Sequence, residues 1–95
     1  MAIAVYIVNT ANPNVRRQYA DAWKQLDEQD ARHPAGRVSH TAWLVGDELH
    51  VLDVWESREQ MDAFMQTLGP ILQGVGMELA GPPEPREVLN VVVPG

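Results

Sequence analysis

The sequence contains no cysteine, so disulfide bonds, iron–sulfur clusters and thiolate zinc sites are excluded. Basic residues are also few: seven Lys and Arg stand against 13 Asp and Glu, which gives a formal net charge of −6. Binding to a phosphate backbone needs clustered Lys and Arg, so no nucleic-acid partner is expected. The N-terminal apolar run, MAIAVYIVNT, is too short to span a bilayer and carries no basic residue. These features predict a cytoplasmic protein with no membrane contact.

Motifs that mark several common reaction classes are also absent. The sequence has no glycine-rich phosphate loop after a strand, no nucleophile elbow and no pair of carboxylates placed for glycoside hydrolysis. No flavin or nicotinamide signature is present either. The sequence therefore predicts that the protein works without a cofactor.

Apolar residues, in contrast, are abundant: 45% of the 95 residues are hydrophobic, with three Trp and four Met. A chain of this length forms one domain, which we place at residues 1–95. Such a small domain buries only about two-thirds of the surface that its unfolded chain exposes. So much apolar material on a small core predicts a homodimer, in which a second copy covers the excess.

The most informative stretch is residues 37–57, RVSHTAWLVGDELHVLDVWES, which is typical of two strands joined by a tight turn. Gly46 and Asp47 would form the loop, because glycine adopts φ > 0 at no steric cost in a two-residue hairpin turn. A four-residue loop closed by the same pair would keep the register, whereas a three-residue loop would slip it. The predicted cross-strand pairs are Val45–Glu48, Trp43–His50 and His40–Asp53.

This register sorts the hairpin into two faces, one of which is apolar apart from a His opposite an Asp. The apolar face would carry Val38, His40, Ala42, Leu44, Leu49, Val51, Asp53 and Trp55, and the other face Arg37, Ser39, Thr41, Trp43, Val45, Glu48, His50, Leu52 and Val54. A metal site would need His50 to join His40 and Asp53. Because His50 points to the other face, no metal site is predicted.

His40 and Asp53 are the leading catalytic candidates. In the functional interpretation, Asp53 holds the imidazole of His40 in one tautomer, and His40 acts as a general base facing a pocket between sheet and helices. In the structural interpretation, the same two residues are a satisfied polar pair that fixes the register of the sheet. Both interpretations stay open at this point.

Hydrophobic periodicity predicts the remaining elements. Before the hairpin they are a strand over Ala2–Val8 and a helix that is capped by Asn12-Pro13 and runs to about Asp30. After the hairpin, a second helix begins with a Ser57/Gln60 capping box and is broken or bent at Gly69-Pro70. An extended connector over Gly81–Pro85 and a strand over Glu87–Val93 follow. The order β-α-β-β-α-β is that of an α+β, ferredoxin-like domain, with both helices on one face of an antiparallel sheet. Since the strands are apolar on both faces, the sheet of a second subunit is expected on the other face.

Four motifs carry a family resemblance over nearly the whole chain. They are Pro34-Ala35-Gly36-Arg37 with His40, Val51-Leu52-Asp53-Val54-Trp55-Glu56-Ser57, Leu68-Gly69-Pro70-Ile71-Leu72, and Pro82-Pro83-Glu84-Pro85. Together they resemble small bacterial proteins of the antibiotic biosynthesis monooxygenase-like branch of the dimeric α+β barrel superfamily. The resemblance implies a ferredoxin-like domain that dimerises into an α+β barrel.

The resemblance also suggests site residues, taken one reaction at a time. Haem-degrading relatives use an Asn, a Trp and a His, which fall at Asn9, Phe64 and Gly74, so haem chemistry is disfavoured. Polyketide cyclases use a Tyr and a His at positions that fall here on Phe64 and Pro70, where both functional groups are missing. Cofactor-free, quinone-forming monooxygenases hold a phenol with Asn, Trp and Tyr, for which Asn9, Trp55 and Tyr6 are partial matches.

Two functions are therefore carried forward. The first is a cofactor-free enzyme, of the monooxygenase or isomerase/cyclase type, acting on a small apolar or aromatic molecule. Its catalytic residues would be His40 and Asp53, and its substrate-binding residues Trp55, Asn9, Tyr6 and Phe64. The second is a non-catalytic dimeric module that binds a ligand or another protein. Aromatic side chains on strand ends and helix stripes are more often core than ligand contacts, which keeps the second function open.

Overall fold

A computed structural model describes residues 2–92 of the chain. Its elements are β1 (Ile3–Val8), α1 (Val15–Glu28), β2 (Arg37–Val45), β3 (Glu48–Trp55), α2 (Arg58–Val75) and β4 (Glu84–Glu87). The four strands form one antiparallel sheet in the order β2-β3-β1-β4. The predicted α+β, ferredoxin-like β-α-β-β-α-β domain is confirmed.

The hairpin between β2 and β3 has the predicted register. His40 pairs with Asp53, Trp43 with His50, and Val45 with Glu48. The turn needs a positive φ at its first residue, and Gly46 has φ of +61°. A short glycine turn therefore sets which side chains of both strands face the helices.

One part of the predicted face assignment is wrong. A β-bulge between Arg37 and Ser39 places Arg37, instead of Val38, opposite Trp55. A bulge adds one residue to a strand, so the side chains before it change face. Arg37 consequently lies on the inner face of the sheet, whereas Val38 is exposed.

The first helix begins later than predicted. Asn12 and Pro13 precede α1, and Asn14 is the residue at its N-cap. The side-chain oxygen of Asn12 accepts a hydrogen bond from the backbone N–H of Asn14 at 2.8 Å. This local turn satisfies a backbone donor before the helix begins, as Asn side chains commonly do.

The second helix has the predicted start but is not broken where predicted. The Ser57 hydroxyl accepts from the Gln60 N–H at 3.3 Å and donates to the Gln60 side-chain oxygen at 2.9 Å. The prediction was a break or a bend at Gly69-Pro70; the break does not occur, because the helix continues to Val75 with Pro70 inside it. Pro70 removes one helical donor, and Gln66, four residues before it, is exposed, so water can satisfy the freed carbonyl.

The last strand lies earlier than predicted. The prediction was Glu87–Val93, and Val93 is outside the described residues. The observed strand β4, Glu84–Glu87, pairs with Ile3–Tyr6 of β1 and forms an edge of the sheet. An edge strand tolerates Pro85 because only one of its sides needs backbone donors.

Two clusters of buried side chains hold the helices on one face of the sheet. One consists of Val5, Ala22, Leu26, Trp55, Met61, Phe64 and Ile71, and the other of Val15, Leu49, Val51 and Met77. The opposite face of the sheet exposes Tyr6, Trp43, Val45 and Leu52. None of the helices over residues 2–92 has the length and apolar character needed to cross a membrane.

We expect Gly36→Ala to destabilise the fold by about 1–3 kcal/mol. Gly36 has φ of +89°, and a Cβ there would lie 2.3 Å from the side-chain oxygen of Gln60, which accepts a hydrogen bond from the Ser57 hydroxyl. Gly74→Ala is the control, since Gly74 is in α2 with open space around it, and it should gain about 0.5–1 kcal/mol. Chemical denaturation measures both changes, and equal stability of Gly36→Ala and wild type would contradict the close approach.

Candidate functional site

A mostly apolar cavity lies between the inner face of the sheet and the two helices. Its empty space is about 590 Å³, including the part that is open to solvent. Most of the lining is apolar, and the polar side chains in it are Asn9, Tyr19, Arg37, His40 and Asp53. An apolar cavity with a few convergent polar groups is the usual form of a small-molecule site.

Three of these polar side chains form a hydrogen-bonded row from α1 to β3. Nδ1 of His40 lies 2.6 Å from Oδ1 of Asp53, and Nε2 of His40 lies 2.8 Å from the hydroxyl of Tyr19. An ionised carboxylate only accepts hydrogen bonds, so Nδ1–H donates to Asp53. In the neutral imidazole Nε2 then carries no hydrogen, and it accepts from the Tyr19 hydroxyl. The row thus fixes one tautomer of His40.

Burial strengthens this row. The side chain of Asp53 is 9% exposed and that of His40 is 19% exposed. The Tyr19 and His40 rings lie nearly parallel and end to end, with ring centres 6.3 Å apart across the hydrogen bond, and the Trp23 ring meets the same imidazole edge-on at 5.3 Å. The imidazole is therefore held on two sides by α1 and from β3 by Asp53, with little freedom to rotate.

Arg37 adds a positive charge to the wall of the cavity. Its guanidinium lies 5.4 Å from the ring centre of Phe64 and 5.5 Å from that of Trp23. Burial lowers the pKa of Arg37, and the negative charge of Asp53 acts in the opposite direction. An arginine keeps its charge in proteins, so the cavity holds a permanent cation.

The structure brings only some of the predicted site residues together. His40, Asp53, Asn9 and Phe64 all line the cavity. Trp55, by contrast, lies in the core with 1% of its surface exposed, packed against Phe64 at 5.5 Å between ring centres. Its predicted contact with a ligand, like the other predicted site roles, stays a prediction.

Tyr6 is on the opposite face of the sheet from His40. Its hydroxyl is hydrogen-bonded to Nδ1 of His50, while Nε2 of His50 contacts Glu48 at 2.7 Å. The Trp43 ring stacks on both Tyr6 and His50. Tyr6 therefore belongs to a second polar and aromatic group, on the outer face.

Asn9 has an unusual environment. It is 5% exposed, its backbone N–H donates to the carbonyl of Leu49 at 2.8 Å, and its side-chain oxygen has no hydrogen-bond partner within residues 2–92. A buried acceptor without a partner costs about 1–3 kcal/mol.

Potential metal ligands do not cluster in the described part of the chain. No three side chains of Asp, Glu or His lie close enough together there to hold an ion. His40 and Asp53 face the helices, whereas His50 and Glu48 form their own pair on the outer face.

Three cavity residues were missed by reasoning from the sequence: Tyr19, Trp23 and Arg37. Tyr19 and Trp23 have the spacing of an apolar helix stripe, which is typical of core residues, and the sequence did not assign them to the site. Their spacing of four residues, opposite a sheet face with a single His, was the signal that could have found them. Arg37 had no comparable signal, because its inward position depends on the bulge.

Neither a family model nor a curated protein matches this sequence. Solved structures with the same fold do exist. A Nitrosomonas europaea protein of unknown function has a TM-score of 0.70 at 20% identity, over 99% of this chain and 95% of that chain. A variant of SnoaB, a cofactor-independent oxygenase from Streptomyces nogalater, has a TM-score of 0.69 at 9% identity, over 96% of each chain.

A third structure supports the same conclusion. A Chloroflexus aurantiacus protein, proposed to be an antibiotic biosynthesis monooxygenase, has a TM-score of 0.67 at 16% identity, over 100% of this chain and 98% of that chain. The class that these structures define is the ferredoxin-like α+β fold. The resemblance predicted from the sequence is confirmed at the level of the fold.

Proposed function

We propose that the protein is a cofactor-free enzyme that removes a proton from a small apolar or aromatic molecule bound between the sheet and the helices. The observation that carries the proposal is the row Tyr19–His40–Asp53, which stands in the wall of an otherwise apolar cavity. His40 is the group that finally holds the proton, and Asp53 orients it and stabilises its positive charge. The likeness in fold to a cofactor-independent oxygenase supports the same class of reaction.

The remaining wall of the cavity suits an aromatic ligand. Phe64 and Trp23 line it with aromatic rings, and Arg37 and the row Tyr19–His40–Asp53 supply polar groups. Apolar contacts supply the affinity in such sites, and a few polar groups set the orientation. The ligand is thus a ring system with at least one hydroxyl or acidic hydrogen.

Proton removal prepares such a molecule for reaction with oxygen. A carbanion formed from a ring methylene gives an electron to O₂, the two radicals combine to a hydroperoxide anion, and protonation with loss of water leaves a carbonyl. In sum, the CH₂ group and O₂ yield C=O and H₂O. If oxygen is absent, the same anion can instead be reprotonated at another position, which is an isomerisation.

A thermal-shift screen tests the proposal. The panel holds hydroquinones, anthrone-like polycyclic phenols, haem, fatty acids and flavin. A ligand at 100 times its Kd stabilises the fold by about 2.7 kcal/mol, which is a shift on the order of 10 °C for a domain of this size. We expect a shift with phenols only, and we expect oxygen uptake or isomerisation of those phenols by wild type but not by His40→Ala.

The second candidate function, a non-catalytic binding module, makes a different prediction for the same variant. His40→Ala would then reduce stability or affinity by about 1–3 kcal/mol, with no turnover to lose. Binding of phenols without any turnover would favour this second function. No shift with any compound would contradict a small-molecule site altogether.

We further propose that the protein is a cytoplasmic homodimer, with the outer faces of the two sheets packed together. Tyr6, Trp43 and Val45 are 47%, 40% and 58% exposed on that face, which is unusual for side chains of this size. Burying them against a second copy would remove this apolar surface from water. A dimer of this kind is also what the family resemblance implies.

We expect sedimentation at micromolar concentration to give a dimer mass for wild type and a monomer mass for Trp43→Asp. The new carboxylate would be buried without a partner in the dimer, which is costly. Lys24→Asp is the control, because Lys24 is exposed on α1, away from this face. A monomeric wild type would contradict the dimer.

A further inference from the structure

We propose that the atom that takes the proton from the substrate is the hydroxyl oxygen of Tyr19, and that the guanidinium of Arg37 holds the resulting anion. The substrate is then an apolar or aromatic molecule with an acidic phenol, enol or 1,3-dicarbonyl group. This inference rests on the proposed function and names its acceptor atom and its substrate class.

The first step of the argument is that neither nitrogen of His40 is free. Nδ1 donates to Asp53 at 2.6 Å, and Nε2 accepts the proton of Tyr19 at 2.8 Å. A ligand in the cavity can therefore pass a proton to the imidazole only by way of the Tyr19 oxygen. Tyr19 lines the cavity, and the lone pairs of its hydroxyl oxygen can accept a proton while its own proton is directed at Nε2.

The second step concerns the charge that this transfer creates. When the substrate loses its proton to the Tyr19 oxygen, the original hydroxyl proton moves to Nε2 of His40. One substrate O–H or C–H bond and one Tyr19 O–H bond break, and a new Tyr19 O–H bond and an Nε2–H bond form. The products are a substrate anion, a neutral Tyr19 and an imidazolium beside the Asp53 carboxylate.

The third step is that the guanidinium of Arg37 has N–H donors that can bind such an anion. Over residues 2–92, no carboxylate lies within 4 Å of its guanidinium. Within the same residues, one terminal nitrogen of the guanidinium donates a hydrogen bond to the carbonyl oxygen of Arg32 at 2.7 Å. A guanidinium has five N–H donors, so several are left for a ligand in the cavity that it lines.

Partial burial strengthens the attraction between the Arg37 guanidinium and a bound anion. Arg37 is only half-exposed, with the rings of Trp23 and Phe64 on either side of it. A charge that is partly removed from water attracts an opposite charge more strongly than an exposed one does. Neighbouring Arg32 differs in this respect, because it is exposed and paired with Asp27 at 2.8 Å, although it also lies over Trp23.

The test of Arg37 uses 4-nitrophenol, whose absorbance distinguishes the phenol from the phenolate. We expect wild type to favour the bound phenolate by at least about tenfold over free solution, and Arg37→Gln to lose this preference. Arg32→Gln is the matched control and should keep it. A bound phenol that ionises as it does in water would overturn the proposal.

The test of Tyr19 uses anthrone in deuterated water under nitrogen, with deuterium uptake at its methylene followed by NMR. We expect Tyr19→Phe to slow the uptake at least about a hundredfold while the Kd for anthrone changes only a few-fold. If Tyr19→Phe exchanged at the wild-type rate and His40→Ala did not, His40 itself would be the acceptor and the proposal would be wrong. Ionisation and exchange that persist in both Arg37→Gln and Tyr19→Phe would overturn this inference alone. Failure of wild type to ionise or exchange a bound probe, or failure of both probes to bind, would overturn the proposed function as well.

Discussion

Trp55→Ala is expected to lower the free energy of unfolding by about 3–5 kcal/mol, the usual cost of removing a buried aromatic side chain. Trp55 is 1% exposed and packs against Phe64 in the larger of the two buried clusters. The total stability of a small domain is only about 5–15 kcal/mol. Denaturation should therefore show a loss of midpoint temperature on the order of 20 °C, or a chain that does not fold.

Two further variants make this result interpretable. Trp55→Phe keeps most of the buried volume and should remain folded at a smaller cost. Because Trp55 does not line the cavity of His40, the affinity of Trp55→Phe for phenols should equal that of wild type. Leu89→Ala should change nothing, since Leu89 is fully exposed. A Trp55→Phe variant that is stable but has lost its ligand would instead support the predicted role of Trp55 as a wall of the site.

The parts of the fold that the sequence predicted well depend on local rules. The loop at Gly46 fixed the hairpin register, and with it the contact between His40 and Asp53. A short hairpin loop with a glycine at positive φ can form few types of turn, and the type of turn sets the register. The cap at Ser57 was predictable for a similar reason: the side chain satisfies a donor only three residues away.

The incorrect predictions depend on distant parts of the chain. The valines after Glu87 are typical of a strand, yet β4 uses Glu84–Glu87 because β1 offers a partner edge there. The break predicted at Pro70 would be expected in an isolated helix, but α2 is held on both sides of Pro70 by buried side chains, Phe64 and Ile71. Tertiary packing overrides local propensity in both cases.

The site shows the same division. His40 and Asp53 could be identified because they are the polar exceptions on an apolar face. Tyr19 has the position of a core residue of α1, and its phenol ring is largely apolar. The role of its hydroxyl depends on its hydrogen-bond partner, which the spacing of residues in the sequence does not show. Arg37 could not be placed, because one extra residue in the strand decides its face.

Asp53→Asn should reduce turnover of a phenolic substrate by about 10²- to 10⁴-fold with little change in stability. Asn has nearly the same shape, and its oxygen can still accept from Nδ1 of His40, so the buried site stays filled. The amide cannot stabilise the imidazolium as a carboxylate does, and its NH₂ group can also donate to Nδ1 and reverse the tautomer. In the reversed tautomer, Nε2 would carry the hydrogen and could no longer accept the proton of Tyr19.

Two measurements together decide this prediction. Steady-state kinetics give kcat/KM for the phenol, and nitrogen-15 NMR of the imidazole reports which ring nitrogen carries the hydrogen. Asp62→Asn is the matched control, because Asp62 is exposed on α2 and should affect neither. Loss of turnover together with a changed tautomer would mean that the carboxylate holds His40 in its working form. Full turnover in Asp53→Asn would mean that His40 and Asp53 are a structural pair that fixes the register of the sheet, and the chemistry would have to be assigned to another part of the cavity.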